Sequence, residues 1–343
     1  MTSGRVLADR TTLRVGGPAD SWIIARTEDE LVDAVRRADR DGTPVLLLGG
    51  GSNLLVADEG FGGIVVEIAN RGTDAQVNGD TVRLALAAGE PWDDVVSSVV
   101  AHGWTGIEAL SGIPGLAGAT PVQNVGAYGQ DVASVVVGVR ALDRRSGQVR
   151  ELTADDCSFG YRTSRFKRER DGWVVLSVTM DLGTSGMSRV RYPELARSLG
   201  VAVDAEAPVA AIRGAVLALR TRKGMVVDAD DPDTWSAGSF FTNPIVPATV
   251  ADALPSDCPR YPAAEGVKLS AAWLIQQSGC GPGFALSPES RAAISSKHTL
   301  ALTNRGGATA ADLVELAREV RRRVERTFGI PLEPEPVLVG LTL

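Results

Sequence analysis

Three consecutive glycines between two apolar runs constrain this chain more than any other feature of its sequence. In "VLLLGGGSNLLV", residues 45–56, four strand-type residues meet Gly49, Gly50 and Gly51, then Ser52 and Asn53, then more apolar residues. Glycines after a strand often cradle a phosphate, because their N–H groups can turn inward with no Cβ in the way. The two commonest phosphate loops do not fit. A Rossmann loop needs G-x-G-x-x-G leading into a helix whose N-terminus holds the pyrophosphate. Here the spacing is wrong and no helix follows, since residues 53–56 are short and apolar and turn residues arrive by Glu59. A Walker A loop would close on Gly-Lys-Ser/Thr, which is absent. What remains is strand, nest, strand, with the Ser52 hydroxyl and the Asn53 amide as added donors. Taken alone, the same five residues serve equally well as a tight structural turn.

A second glycine-rich stretch bears on that choice. "SGIPGLAGATPVQNVGAYGQD", residues 111–131, is too long for a turn and too apolar for a flexible linker. Its glycines alternate with Ile113, Leu116, Ala119, Val122 and Val125, so the chain can lie flat against a large, partly apolar cofactor. The alternative is an Ω-like surface loop. Two such segments in one domain fit an extended dinucleotide better than two coincidental loops.

The rest of the chain supplies an α+β frame. Thr27 and Glu30 form a capping box ahead of Leu31, Val32, Val35 and Ala38 at helical spacing. Residues 91–103 read as a short helix starting at Pro91 and ending at Gly103, and residues 134–152 as a hairpin turning at 145–147. After a soft boundary near residues 190–210, three helical patterns follow. The last of these carries a stripe of Leu313, Leu316, Ala317, Val320, Val324 and Phe328, and strand-like "EPVLVGLTL" comes after it. At 343 residues there is room for two or three domains.

Composition excludes several classes. A net charge of −7 and a pI near 5.1 argue against general binding to nucleic acid or anionic membrane. No apolar run approaches the ~20 residues that span a bilayer, and the start has no signal-peptide core. Cys157, Cys258 and Cys280 are scattered, so neither a disulfide framework nor a CxxC knuckle is expected. With only His102 and His298, zinc and Ser-His-Asp chemistry are poor readings, and no metal is expected. The reducing cytoplasm is the expected compartment.

Several motifs then occur in order over nearly the whole chain: "TTLRVGGPAD", "LLGGGSNLLV", "GIEALSGIPGLAGATPVQNVGAYGQDV", "FGYRTSRFK", "GSFFTNP", "KLSAAWLIQQSG" and "LEPE". Together they closely resemble the UDP-N-acetylenolpyruvoylglucosamine reductases, the FAD enzymes of peptidoglycan precursor synthesis, in the longer type with a tyrosine loop. The resemblance implies an α+β, FAD-binding fold of the vanillyl-alcohol oxidase/PCMH type, made of two α+β subdomains. A C-terminal α+β substrate-binding domain would follow. It places the first subdomain at 1–70, the second at 71–205 and the substrate domain at 206–330, with the terminal strand of 331–343 returning to the first. It further implies non-covalent FAD, NADPH as reductant, and a monomer that reduces the enolpyruvyl ether of its UDP-sugar to a lactyl ether. The flavin would lie between Gly49, Gly50, Gly51, Ser52 and Asn53 on one side and the second segment on the other. There Ser111, Gly112, Ile113, Gly118, Ala119, Thr120, Gln123, Asn124, Gly126 and Ala127 are the expected contacts. Neither segment holds a His or Cys that could link a flavin covalently.

The chemistry implied by the resemblance is hydride addition from flavin N5 to C3 of an enol ether conjugated to a carboxylate. Charge then builds at C2. The carboxylate needs cationic or hydrogen-bonding partners, and C2 needs an acid. Arg162 in "GYRTS" suits the carboxylate, since a guanidinium is always charged and binds it through two donors; its ordinary use would be a surface salt bridge. Ser239 matches the family's proton donor and Glu335 its catalytic glutamate. Glu333 competes with Glu335, because on a strand both would face the same way. Pro336 stands where a β-branched residue is expected, and Pro282 where a lysine is common. For the UDP moiety the matching positions are Arg220 and Lys223 at a helix end, Tyr192 of the tyrosine loop, and Tyr128, Asn243, Lys268 and His298. Arg220 and Lys223 have an ordinary alternative in complementing a helix dipole, and His298 in packing. The rival functions are another flavin-dependent oxidase of the same fold and a non-catalytic UDP-sugar-binding module.

Overall fold

The computed structural model describes residues 4–263 and 265–343. The chain forms two compact units, one from Asp20–Gly50 with Gly62–Arg222, the other from Gly4–Ala19, Gly51–Phe61 and Lys223–Leu343.

Alternation of apolar residues sets the main sheet of the first unit. Five antiparallel strands run in the order Gln148–Thr153, Val136–Asp143, Trp173–Gly183, Thr81–Ala87, Thr73–Asn78. In the central strand Val174 and Leu176 enter one core, whereas Val175, Val178, Met180 and Leu182 enter another. Strict alternation would send 176 and 178 to the same face. A register shift between Val175 and Ser177 against the neighbouring strand inserts the extra residue that reverses them. The sheet can therefore be covered on both sides. On one face lies helix α1 (Glu28–Arg40), through Leu31, Val32, Ala34 and Val35; on the other lies α2 (Trp92–Ala101), through Trp92, Val95, Val96 and Val99. The edge strand Thr73–Asn78 is exposed at every position, which is why its polar sequence carries no strand signal.

Thr27 accepts the N–H of Glu30 at the start of α1, but the Glu30 carboxylate turns to the N–H of Arg26 instead of Thr27. Only half of the expected capping box forms. Helices α3 (Pro193–Leu199) and α4 (Val209–Arg222) pack through Leu195, Ala196, Ile212, Val216 and Leu219.

In the second unit the strand after the glycines, Leu54–Val56, pairs in parallel with Val337–Val339. One core joins Leu13, Val15 and Leu55 to helices α5 (Ala271–Gln277) and α6 (Ala310–Phe328). The α6 stripe is buried as its periodicity predicts, with Phe328 packed at its edge. The expected terminal strand is shorter than its sequence suggests, since regular pairing covers only Val337–Val339.

Asp233 braces this unit. Its carboxylate accepts the Ser296 N–H at 2.8 Å, the Ser296 hydroxyl at 2.6 Å and Arg305 at 2.6 Å. Burial alone would raise its pKa, but Ser296 and Arg305 hold it below the usual carboxylate range. A depressed folded-state pKa gives stability that is present above the unfolded value of ~3.9 and is lost as pH falls through the folded one. Asp233→Asn should therefore cost about 1.5–3 kcal/mol at neutral pH. In denaturant titrations at stepped pH, the gap from wild type should narrow below pH ~4. A gap independent of pH would remove the charge from this account.

Candidate active site

The glycine turn is spent differently on its two sides. In the first unit, a Cβ on Gly50 would lie 2.7 Å from the Gly115 Cα, and one on Gly49 would lie 3.5 Å from the Leu116 side chain. The two glycine segments are thus in direct contact. In the second unit, Gly51 adopts φ +62°, and a Cβ there would come within 1.8 Å of the Arg10 carbonyl oxygen. The N–H groups of Gly49, Gly50 and Gly51 make no hydrogen bond among the described residues. In the first unit, the two unspent amides of Gly49 and Gly50, at a turn where a Cβ on Gly50 would strike the Gly115 backbone, fit an anionic group such as a pyrophosphate.

The second segment spends most of its polar groups on its own shape. The Ser111 hydroxyl donates to Glu108 O at 2.6 Å and that of Thr120 to Ala117 O at 2.8 Å. Asn124 donates to Gly160 O and accepts from Ala133 N. Gly118 lies against Ala88, where a Cβ would be only 2.4 Å from the alanine methyl. Gly112 adopts φ +70° and gives its N–H to the Asp93 carboxylate at 2.6 Å. Ile113 and Gln123 are half-buried, Ala119 is exposed, and Gly126–Ala127 form a two-residue strand with Gln130–Asp131.

The same unit gathers the cations. Arg162 adopts φ +53° and donates to Gly126 O at 2.7 Å. Tyr128 and Asn124 are also left-handed, at φ +48° and +47°. Such strained non-glycine residues cluster where function requires a fixed geometry. Tyr128 meets Tyr192 edge-to-face at 5.5 Å, and Tyr192 is the residue that starts α3. Arg220, in the last turn of α4, is only 9% exposed. Burial pushes its pKa down, the Tyr128 phenol and Asp93 pull it up, and Arg162 is near enough to repel it. Burial raises the Tyr128 phenol, and Arg220 opposes that shift. A solvated charge at a helix end would show none of this; two mutually repelling guanidiniums, one of them buried, make an anion-seeking site.

In the second unit Ser239 and Glu335 sit on two segments bonded to each other. Glu335 N donates to Phe240 O at 2.8 Å, Thr242 N donates to Glu333 O at 3.0 Å, and Phe241 bridges Pro334. Phe240 N in turn donates to Leu300 O at 2.7 Å. Ahead of Ser239, Thr12 donates to Ser236 O at 2.6 Å, and the Arg14 guanidinium stacks 3.7 Å over the Trp235 ring. Ser239 is half-buried and its hydroxyl makes no hydrogen bond among the described residues. Glu335 is half-buried and Glu333 exposed. Pro336 leaves Glu335 well held: Glu335 O accepts from Asn53 Nδ2 at 3.4 Å and the next N–H, that of Val337, goes to Asn53 O. No N–H is required at 336.

The other predicted residues of this unit have structural duties. Asn243 accepts the first N–H of α5, from Ala271, at 2.9 Å. His298 Nδ1 accepts from Leu300 N, shaping the turn that anchors Phe240. Lys268 lies 5.7 Å over the Tyr261 ring, Lys223 stands in the turn after α4, and Pro282 is exposed in a turn.

Two family models match the chain, an FAD binding domain over residues 19–153 and the UDP-N-acetylenolpyruvoylglucosamine reductase C-terminal domain over residues 230–339. The UDP-N-acetylenolpyruvoylglucosamine reductase of Thermobifida fusca is 53% identical, over 98% of this chain and 97% of its own. That of Saccharopolyspora erythraea is 54% identical, over 100% and 96%. This chain belongs to the UDP-N-acetylenolpyruvoylglucosamine reductase family. The crystal structure of the reductase from Thermus caldophilus matches with a TM-score of 0.67 at 27% identity, over 99% of both chains. The expected α+β, FAD-binding fold class therefore holds, and the chain is an FAD-dependent oxidoreductase of this reductase family. No helix among the described residues is long and apolar enough to cross a membrane.

Two residues of this family member were not singled out in the sequence. Asp93 sat inside a helix pattern, where a carboxylate in the first turn is unremarkable. Glu108 is fully buried and accepts from Gly106 N at 2.7 Å and from the Gln130 amide. Its signal was a charged residue inside the otherwise apolar run "GIEALSG".

Proposed function

We propose that this chain reduces the enolpyruvyl group of UDP-N-acetylglucosamine enolpyruvate, with NADPH as reductant and non-covalent FAD, in the cytoplasm. The observation that carries the reading is the backbone tie between Glu335 and Phe240, which fastens a carboxylate segment beside an uncommitted serine. When bound, FAD supplies two-electron chemistry, taking hydride from NADPH and delivering it to C3. The Gly49, Gly50 and Gly51 amides would hold its pyrophosphate. Arg162 would bind the substrate carboxylate and stabilise the charge that develops there. Ser239 would give its proton to C2, with Glu335 held nearby to tune the carboxylate end. Arg220, with Tyr128, Tyr192 and Lys223, would take the diphosphate. Asn243, Lys268 and His298 remain proposed substrate contacts in addition to their structural duties.

The test is a visible spectrum of the purified chain. A band near ~450 nm, bleached by NADPH and restored by the enolpyruvyl UDP-sugar, is the expected result. A colourless protein that cannot be reconstituted with FAD overturns the reading. Bleaching by NADPH followed by rapid reoxidation in air, with no response to the UDP-sugar, would mark the oxidase alternative.

A further inference from the structure

Asp93 sits in the first turn of α2 with both carboxylate oxygens engaged. Arg213 clamps it through two bonds, at 2.7 and 2.9 Å, and Gly112 N donates to one of the same oxygens at 2.6 Å. Arg213 is largely shielded, with a side-chain exposure of 16%, while Asp93 is partly open at 38%. Arg213 belongs to α4, as does Arg220. Seven residues is about two helical turns, so the two arginines lie on one face. Asp93 is also one of the charges that act favourably on Arg220. One carboxylate therefore touches the second glycine segment and grips the helix that carries the buried arginine.

We infer that Asp93 is a positioning residue: it fixes Gly112 for the flavin and, through the Arg213 fork, fixes α4 so that Arg220 meets the diphosphate of the UDP-sugar. This rests on the function proposed above. An amide at 93 keeps an acceptor for Gly112 N–H but loses the charge that grips Arg213. A methyl loses both. The two substitutions should therefore separate the two duties.

The test uses the FAD-loaded chain. FAD retention is read from flavin absorbance after desalting, UDP affinity by titration calorimetry, and folding by melting temperature. Asp93→Asn should leave FAD affinity within about twofold and weaken UDP about tenfold, the usual scale for losing a charge-assisted pair. Asp93→Ala should weaken both ligands about tenfold. If both variants melt lower yet bind UDP within about twofold of wild type, the pair is only a brace and the inference is wrong. A wild-type chain that binds neither FAD nor UDP sinks the parent reading as well. A wild type that binds both, with unaltered variants, sinks this inference alone.

Discussion

Replacing Ser239 by alanine is expected to slow reoxidation of the reduced flavin by the UDP-sugar by ~10²-fold or more, the scale of losing a positioned general acid. Flavin reduction by NADPH should stay nearly intact, because no proton from Ser239 enters that half-reaction. The structure makes this a clean test. The hydroxyl has no hydrogen bond among the described residues, so its removal breaks none of those contacts. The backbone on either side is held by other atoms, Ser236 by Thr12 and Phe240 by Leu300 and Glu335. Stopped-flow absorbance separates the two half-reactions. Equal slowing of both would remove Ser239 from the chemistry and leave it a structural residue.

The second large effect should come from a single methyl group. Gly50→Ala places a Cβ 2.7 Å from the Gly115 Cα, 3.3 Å from its N and 3.4 Å from its carbonyl carbon. All three are backbone atoms, so no side chain can swing aside, and the two glycine segments must part. Gly50 is not among the residues with positive φ, so alanine adds no backbone strain of its own. Overpacking of this kind costs about 1–3 kcal/mol, which, drawn from cofactor binding, is roughly a 5- to 150-fold loss of FAD affinity. Gly214→Ala is the control. It lies within α4 with nothing inside 4 Å of the added Cβ, and should leave the flavin in place while slightly favouring the helix. If Gly50→Ala retained FAD as tightly as Gly214→Ala, the contact between the glycine segments would not matter to the cofactor.

The sequence was most legible where one residue type has one use. The strand–glycine–strand turn, the α6 stripe and the absence of a helix after Asn53 follow from periodicity and glycine geometry, and all three are present. It was least legible where a side chain serves the backbone of a distant segment. Asn243 and His298, proposed as substrate contacts, also cap α5 and shape the Leu300 turn, duties that spacing does not reveal. The Glu30 carboxylate chose Arg26 over Thr27, a choice between adjacent N–H groups that spacing cannot make. The shift between Val175 and Ser177 was hidden because a run of valines and leucines reads the same with or without an extra residue. Arg220 was ambiguous for a related reason: a helix-end arginine is solvated or buried according to what packs over it, and Tyr128 lies far away in the chain.

The pairing of Leu54–Val56 with Val337–Val339 also fixes an order of events during synthesis. Every segment of the first unit has been synthesised once Arg222 is made. The second unit holds Leu13, Val15 and Leu55 from the beginning of the chain in one core with Leu332 near its end. Between Leu55 and Ala237, the next member of that core along the chain, stands most of the first unit, so the early apolar residues must wait for it to be made before the core can close. A translation pause or a premature stop late in the message would therefore leave the first unit with all its segments and the second with its earliest strand exposed, the kind of surface that chaperones hold.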